Sequence, residues 1–185
     1  MCQAIIFRKN LPLLLVLGIA LSACDVLPAY LGLDQGQGAT PTVQAADAQP
    51  SANNMPYNES ADPHKDIADA FAKARQDNKY VLLDFGANWC LDCRVLSMYY
   101  DKEPIKSFLA QNYHLVTIDV GQWDKNLDVA NQYGNPIVNG IPAVVILDKN
   151  SKVIETTGAG ELADARSMTQ QQVYDFLRQW APRKN

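Results

Sequence analysis

Tyr80-Val81-Leu82-Leu83-Asp84-Phe85 and, after Gly86-Ala87-Asn88, the run Trp89-Cys90-Leu91-Asp92-Cys93-Arg94 are the residues on which the fold turns. The first run is short and almost continuously apolar, the pattern of a central strand buried on both faces. The second opens a helical pattern that runs toward Tyr100, which puts Cys90 at a helix N-terminus. Unpaired backbone amides there favour a thiolate over a thiol. A Cys-x-x-Cys pair by itself serves redox chemistry, half of a zinc site, or neither; the strand-then-helix setting is what favours redox chemistry here.

Working outward, Asp62-Pro63 marks the start of a helix over about Lys65–Gln76, with Ile67, Ala70, Phe71 and Ala74 on one face. Pro104 opens a further helical piece carrying Ile105, Phe108 and Leu109, and His114–Val120 reads as the next strand. A helix around Leu127–Tyr133 precedes two strands, Ala143–Leu147 and Val153–Thr157, joined by Asp148-Lys149-Asn150-Ser151 as a hairpin. Val173, Phe176, Leu177 and Trp180 mark the apolar face of a terminal helix. This order predicts a three-layer α/β fold, a central mixed β-sheet with helices on both faces, over residues 63–185.

Ahead of that domain, Arg8 and Lys9 precede an apolar run from Leu11 to Ala23, the pattern of a secretory signal over residues 1–23. The run is too short for a bilayer that needs about 20 apolar residues, so a permanent membrane span is the weaker reading. Leu21-Ser22-Ala23-Cys24 resembles the lipobox of bacterial lipoproteins, in which the cysteine takes up lipid, palmitate among its acyl chains, and becomes the mature N-terminus. The competing reading is an ordinary small-residue cleavage site. Asp25 resembles the signal that keeps such proteins in the inner membrane of enteric-type bacteria; the outer membrane stays open, with a periplasm-facing domain in either case. Residues 24–62, rich in Ala, Gln, Gly, Pro, Asn and Ser, are expected to be a disordered tether with a span of roughly 35 Å.

With Cys2 in the leader and Cys24 lipidated, Cys90 and Cys93 are the remaining thiols. A bridge across so small a loop removes little chain entropy, so the pair is chemical rather than structural. The formal charge of -4 and the lack of a basic block argue against a nucleic-acid partner.

At this point the sequence resembles the thioredoxin superfamily over roughly Lys65 to Ala181. Trp89-Cys90-x-x-Cys93 matches its active-site motif, Asp84 stands where the family has a buried aspartate, and Gly140-Ile141-Pro142-Ala143 resembles its cis-proline loop. The Ala87-Asn88-Trp89-Cys90 approach looks closest to periplasmic thioredoxin-like domains that receive electrons from membrane thiol-reductant conveyors. The resemblance implies a thiol-disulfide oxidoreductase that reduces or isomerises protein disulfides, with no cofactor and no metal. Its partners would be protein disulfides and dithiols, a membrane thiol-reductant donor, and the membrane through the lipid. Cys90 would attack, Cys93 would resolve, Asp84 would relay the Cys93 proton, and Trp89, Ile141 and Pro142 would receive the substrate. Lowering a thiol pKa from about 8.5 to about 7 raises its thiolate roughly sixteenfold at neutral pH, and weaker nucleophilicity returns about fivefold, so positioning must contribute more.

Asp92 is expected to disfavour the Cys90 thiolate and bias the pair toward reductant, with Arg94 opposing and both screened by solvent. Gly86 replaces the family's usual tryptophan, Leu91-Asp92 replaces Gly-Pro, and the Gly121–Asn139 segment is longer. Trp123 in that segment is expected to pack on the domain surface rather than cover the cysteines. Two rivals stay open: a copper or zinc carrier, for which His64 and His114 are poor further ligands, and a binding or assembly module on the same scaffold.

Overall fold

Asp62 caps the first helix, accepting from the His64 and Lys65 amides, and Pro63 takes the first helical position, where its missing N–H costs nothing. That helix, α1 (Pro63–Asp77), ends at Asn78 in the left-handed region. Then follow β1 (Tyr80–Gly86), α2 (Leu91–Tyr100), α3 (Ile105–Asn112), β2 (Tyr113–Asp119) and α4 (Leu127–Gln132). A 3-10 turn at Pro136–Asn139 leads to β3 (Ala143–Leu147) and β4 (Val153–Thr156), and α5 (Gln170–Gln179) closes the chain behind a Thr169–Gln172 capping box. The computed structural model describes residues 50, 51 and 53–183; the expected leader 1–23, Cys24, Asp25 and the tether up to residue 49 lie outside the described residues. Among the described residues, no helix is long and apolar enough to cross a membrane.

The sheet order is β2-β1-β3-β4, with β1 parallel to β2 and antiparallel to β3, and β3 antiparallel to β4. The sheet is therefore mixed, and the parallel β1–β2 pair needs the helical crossover that α2 and α3 supply. Alternation along β1 divides the core. Val81, Leu83 and Phe85 pack with Ile67 and Phe71 of α1, Val129 of α4, and Val116, Ile118, Val145 and Leu147. Leu82 packs on the other face with Val95, Leu96, Ile105, Leu109, Val144, Ile146, Val173 and Leu177. Each side chain so buried contributes roughly 1.5–3 kcal/mol. The helices thus cover both faces, as the periodicity predicts, and the hairpin forms as expected.

One part of the chain departs from expectation. Ser51 and residues 53–61, expected from the sequence to be the end of a structureless tether, lie against the domain, and Tyr57 is 1% exposed within the core shared with α1. The reason is that Gly86 carries no side chain, and a Cβ there would overlap the Tyr57 hydroxyl and ring. Asn88 fixes the segment from the same side, accepting from the Tyr57 N–H at 3.0 Å and donating to its carbonyl at 2.8 Å.

Register places the rest of the site. Phe85 at the end of β1 faces Ala143 of β3, so the cis Ile141–Pro142 bond just before β3 lies beside the exit of β1. A second cis bond, Glu103–Pro104, precedes α3. Beyond the last rung of β4, Thr157 continues the pairing with its side chain. Its N–H donates to the Val144 carbonyl at 2.9 Å, and its Oγ1 accepts from the Val144 N–H at 2.7 Å, at 1% exposure. Thr157→Val should strand that buried N–H and cost about 1–3 kcal/mol, whereas Thr157→Ser should keep most of the stability. Urea unfolding of the two variants measures the difference.

Candidate active site

Cys90 is the N-cap of α2, in extended conformation, and its sulfur accepts from the Cys93 N–H at 3.2 Å. The two cysteines are joined by a disulfide, with Cα atoms 5.3 Å apart. Cys93, one turn into the helix, is 0% exposed and Cys90 6%, so a partner can reach only the Cys90 side of the bond. Cys90 Sγ lies 3.6 Å from the Ile141 carbonyl oxygen, a contact that becomes a weak hydrogen bond only when the sulfur carries a proton. The strand, the helix start and the proline loop thus converge on one sulfur.

Asp84 is 0% exposed, on the face of β1 that Leu82 shares with α2, so it is no strand-end surface acid. Burial lifts its carboxyl to about 7, against the opposing pull of a hydrogen bond from the Tyr57 hydroxyl. That bond, at 3.2 Å to Oδ2, joins residues 27 apart in sequence. Oδ1 of Asp84 and the Tyr100 hydroxyl are buried and make no hydrogen bond among the described residues.

Trp89 is half exposed, and its indole N–H donates to the Gly121 carbonyl at 2.7 Å, tying the active-site turn to the 121–139 segment. Trp123 packs beside Trp89. It stands at positive φ, 43% exposed, with its ring 6.2 Å from that of Trp89. From there an apolar cleft of about 520 Å³ runs along Leu127, Ile137 and Val138 to Gly140, next to Ile141.

The expectation for Asp92 and Arg94 needs correction. Asp92 is 8% exposed rather than solvent-screened, and its Oδ1 accepts from the Arg166 backbone N–H at 2.9 Å and from Arg166 Nε at 3.0 Å. Its charge is spent on Arg166, so it cannot be read as a free repulsive charge on Cys90. Arg94 donates from Nε to the Asn54 carbonyl at 3.0 Å and from Nη2 to the Ser51 carbonyl, fastening the N-terminal segment rather than facing the cysteines. His64 pairs with Asp128 at 2.8 Å and His114 with Asp77 at 3.0 Å, both away from Cys90 and Cys93. Among the described residues, no three His, Cys, Asp or Glu side chains gather in a metal-holding group.

Tyr57 and Arg166 escaped the sequence reading because neither lies in a periodic segment near the cysteines. The usable signal was indirect: a glycine where the superfamily has a tryptophan leaves a space that some distant side chain must fill.

A family model described as thioredoxin-like matches residues 62–149. A thioredoxin H-type from Fagopyrum esculentum is 34% identical over 89 residues, 48% of this chain and 69% of that protein. A thioredoxin from Buchnera aphidicola subsp. Baizongia pistaciae is 31% identical over 103 residues, 55% of this chain and 79% of that one. Among solved structures, the crystal structure of a disulphide isomerase from Xylella fastidiosa Temecula1 is 43% identical, covering 69% of this chain and 97% of that chain with a TM-score of 0.67.

The raised Asp84 carboxyl sets the pH dependence of stability. Its folded value of about 7 exceeds the ordinary 3.8, so the fold holds a proton that the unfolded chain releases. Stability is therefore lost as pH rises from about 4 to about 7, and the loss is complete above that. Asp84→Asn should gain about 2–4 kcal/mol at pH 8 and little at pH 4, read from urea unfolding of the disulfide form at the two pH values.

Proposed function

Because the chain belongs to the thioredoxin superfamily and is a thiol-disulfide oxidoreductase, we propose that it works in the bacterial cell envelope, on protein disulfides, through Cys90 and Cys93. The observation that carries this reading is the Cys90–Cys93 disulfide at the N-terminus of α2, with its accessible sulfur against the Ile141 carbonyl beside cis-Pro142.

In the reducing direction, the Cys90 thiolate attacks one sulfur of a partner disulfide. A Cys90–partner bond forms, the partner's own S–S bond breaks, and its other sulfur leaves as a thiolate that takes up a proton. The Cys93 thiol gives its proton to Asp84 and attacks Cys90 Sγ; the second partner sulfur leaves as thiolate, and two electrons have passed to the partner. The helix N-terminus favours charge on Cys90, and burial of Asp84 brings its proton exchange into the neutral range, where a general base is most useful. Trp89 next to Cys90 in the chain, Ile141 against its sulfur and cis-Pro142 after it form the surface on which the partner lies, with Trp123 extending it from beside Trp89.

The dithiol form is the working form in this reading, for reduction or isomerisation. Asp92 no longer supports it, since Arg166 holds that charge. Support comes instead from the 43% identical relative described as a disulphide isomerase, an activity that starts from a free thiolate. A membrane thiol-reductant donor would restore the dithiol. Residues 1–23 are the leader, Cys24 carries the lipid, and the chain from there to the domain is the link to the membrane.

Two experiments bear on this. Cys93→Ser should accumulate a covalent, dithiothreitol-sensitive adduct through Cys90 in envelope preparations, lost in Cys90→Ser; no adduct would favour a binding module. Cys24→Ser should move the protein from the membrane pellet to the soluble fraction, and retention in the pellet would remove the lipid anchor.

A further inference from the structure

Tyr57 comes to the redox strand from outside the α/β element order. Its ring lies over Gly86, its hydroxyl donates to Asp84 Oδ2, and the residue is buried. The segment that carries it is fastened on both sides of the cysteine pair. Asn88, ahead of Cys90, clasps the Tyr57 backbone, while Arg94, just after Cys93, exchanges hydrogen bonds with Asn54 at 3.0 and 3.1 Å. Strapping of this kind fixes the hydroxyl relative to the active-site turn.

The bond divides the carboxyl into unlike oxygens. Oδ2 is occupied by Tyr57, while Oδ1 is buried without a hydrogen-bond partner among the described residues. A buried acceptor left open is costly unless it has a use, and proton exchange is one. We propose that Tyr57 is the positioning residue of the redox site: its hydroxyl holds Asp84 Oδ2 and presents Oδ1 as the oxygen that takes the Cys93 proton. This rests on the reading of Asp84 as the proton acceptor. The segment leading to the membrane link thereby takes part in setting the pH range of thiol exchange.

Burial first, then the Asp84 charge, holds the Tyr57 phenol well above its ordinary range, so it remains a donor throughout neutral pH. The other titratable groups that act on the pair are Tyr100 of α2 and Asp119 of β2, and Lys125 Nζ holds Asp119 at 3.2 Å. A donor to the carboxylate favours its charged form, so loss of the hydroxyl must raise the Asp84 pKa further.

The test uses the full chain in detergent, labelled with 13C at aspartate carboxyls, and compares wild type, Tyr57→Phe, Gly86→Ala and Asp84→Asn. Two quantities are read: the Asp84 carboxyl titration, and the pH profile of single-turnover reduction of a disulfide peptide. In Tyr57→Phe the titration midpoint and the acid limb of the rate should both rise by about one unit, with the high-pH plateau within about twofold of wild type. Gly86→Ala, which keeps the hydroxyl but displaces it, should give a shift in the same direction, and it serves if Tyr57→Phe folds poorly. An unmoved or lowered midpoint in both variants overturns the proposal. If instead the midpoint rises but Asp84→Asn leaves the acid limb in place, the relay role of Asp84 fails while Tyr57 still governs the carboxyl.

Discussion

A carboxyl group sits in the middle of a strand that is buried on both faces and paired on both edges, and the rest of the site is arranged around that constraint. β1 leads through a short turn into the start of α2, and its antiparallel register with β3 sets the proline loop beside the same exit. Burial there stabilises the sheet through Val81, Leu82, Leu83 and Phe85, and the same burial makes Asp84 reluctant to ionise. Packing and chemistry are thus in opposition at one residue, which is how local rules are broken at functional sites.

The charges nearest the cysteines are organised to leave the helix N-terminus in control. Asp92 is paired with Arg166, brought in by the 3-10 turn at Ala165–Ser167, and Arg94 is turned onto the N-terminal segment. What acts on Cys90 is the field of α2 and the hydrogen bond from the Cys93 amide, both fixed by backbone geometry. Such control depends little on flexible surface side chains or on ionic strength.

The exposed aromatic pair gives the site a direction of approach. Trp89 and Trp123 are held as neighbours by the hydrogen bond to the Gly121 carbonyl, and the apolar cleft beyond them leads to the proline loop. Exposed apolar surface of this kind normally marks binding. Trp89 directly precedes Cys90, the one cysteine of the pair that keeps any exposed surface.

Local patterns carried most of the fold. The almost continuously apolar run of β1, the helical spacing in α1 and α5, and the turn residues between β3 and β4 depend on neighbours in sequence, so they are legible there, as are the cysteine pair, Asp84 and cis-Pro142 by resemblance. Three things were decided only by tertiary structure. Tyr57 sits in a polar stretch without periodicity and acquires meaning only because Gly86, 29 positions later, leaves room for it. Asp92 looks like a free charge until Arg166, 74 residues away, is folded against it. Trp123 gains its neighbour Trp89, 34 positions earlier in the chain, only in the folded structure. Long-range hydrogen bonds and filled cavities are properties of two distant segments at once, and a one-dimensional pattern holds no term for them.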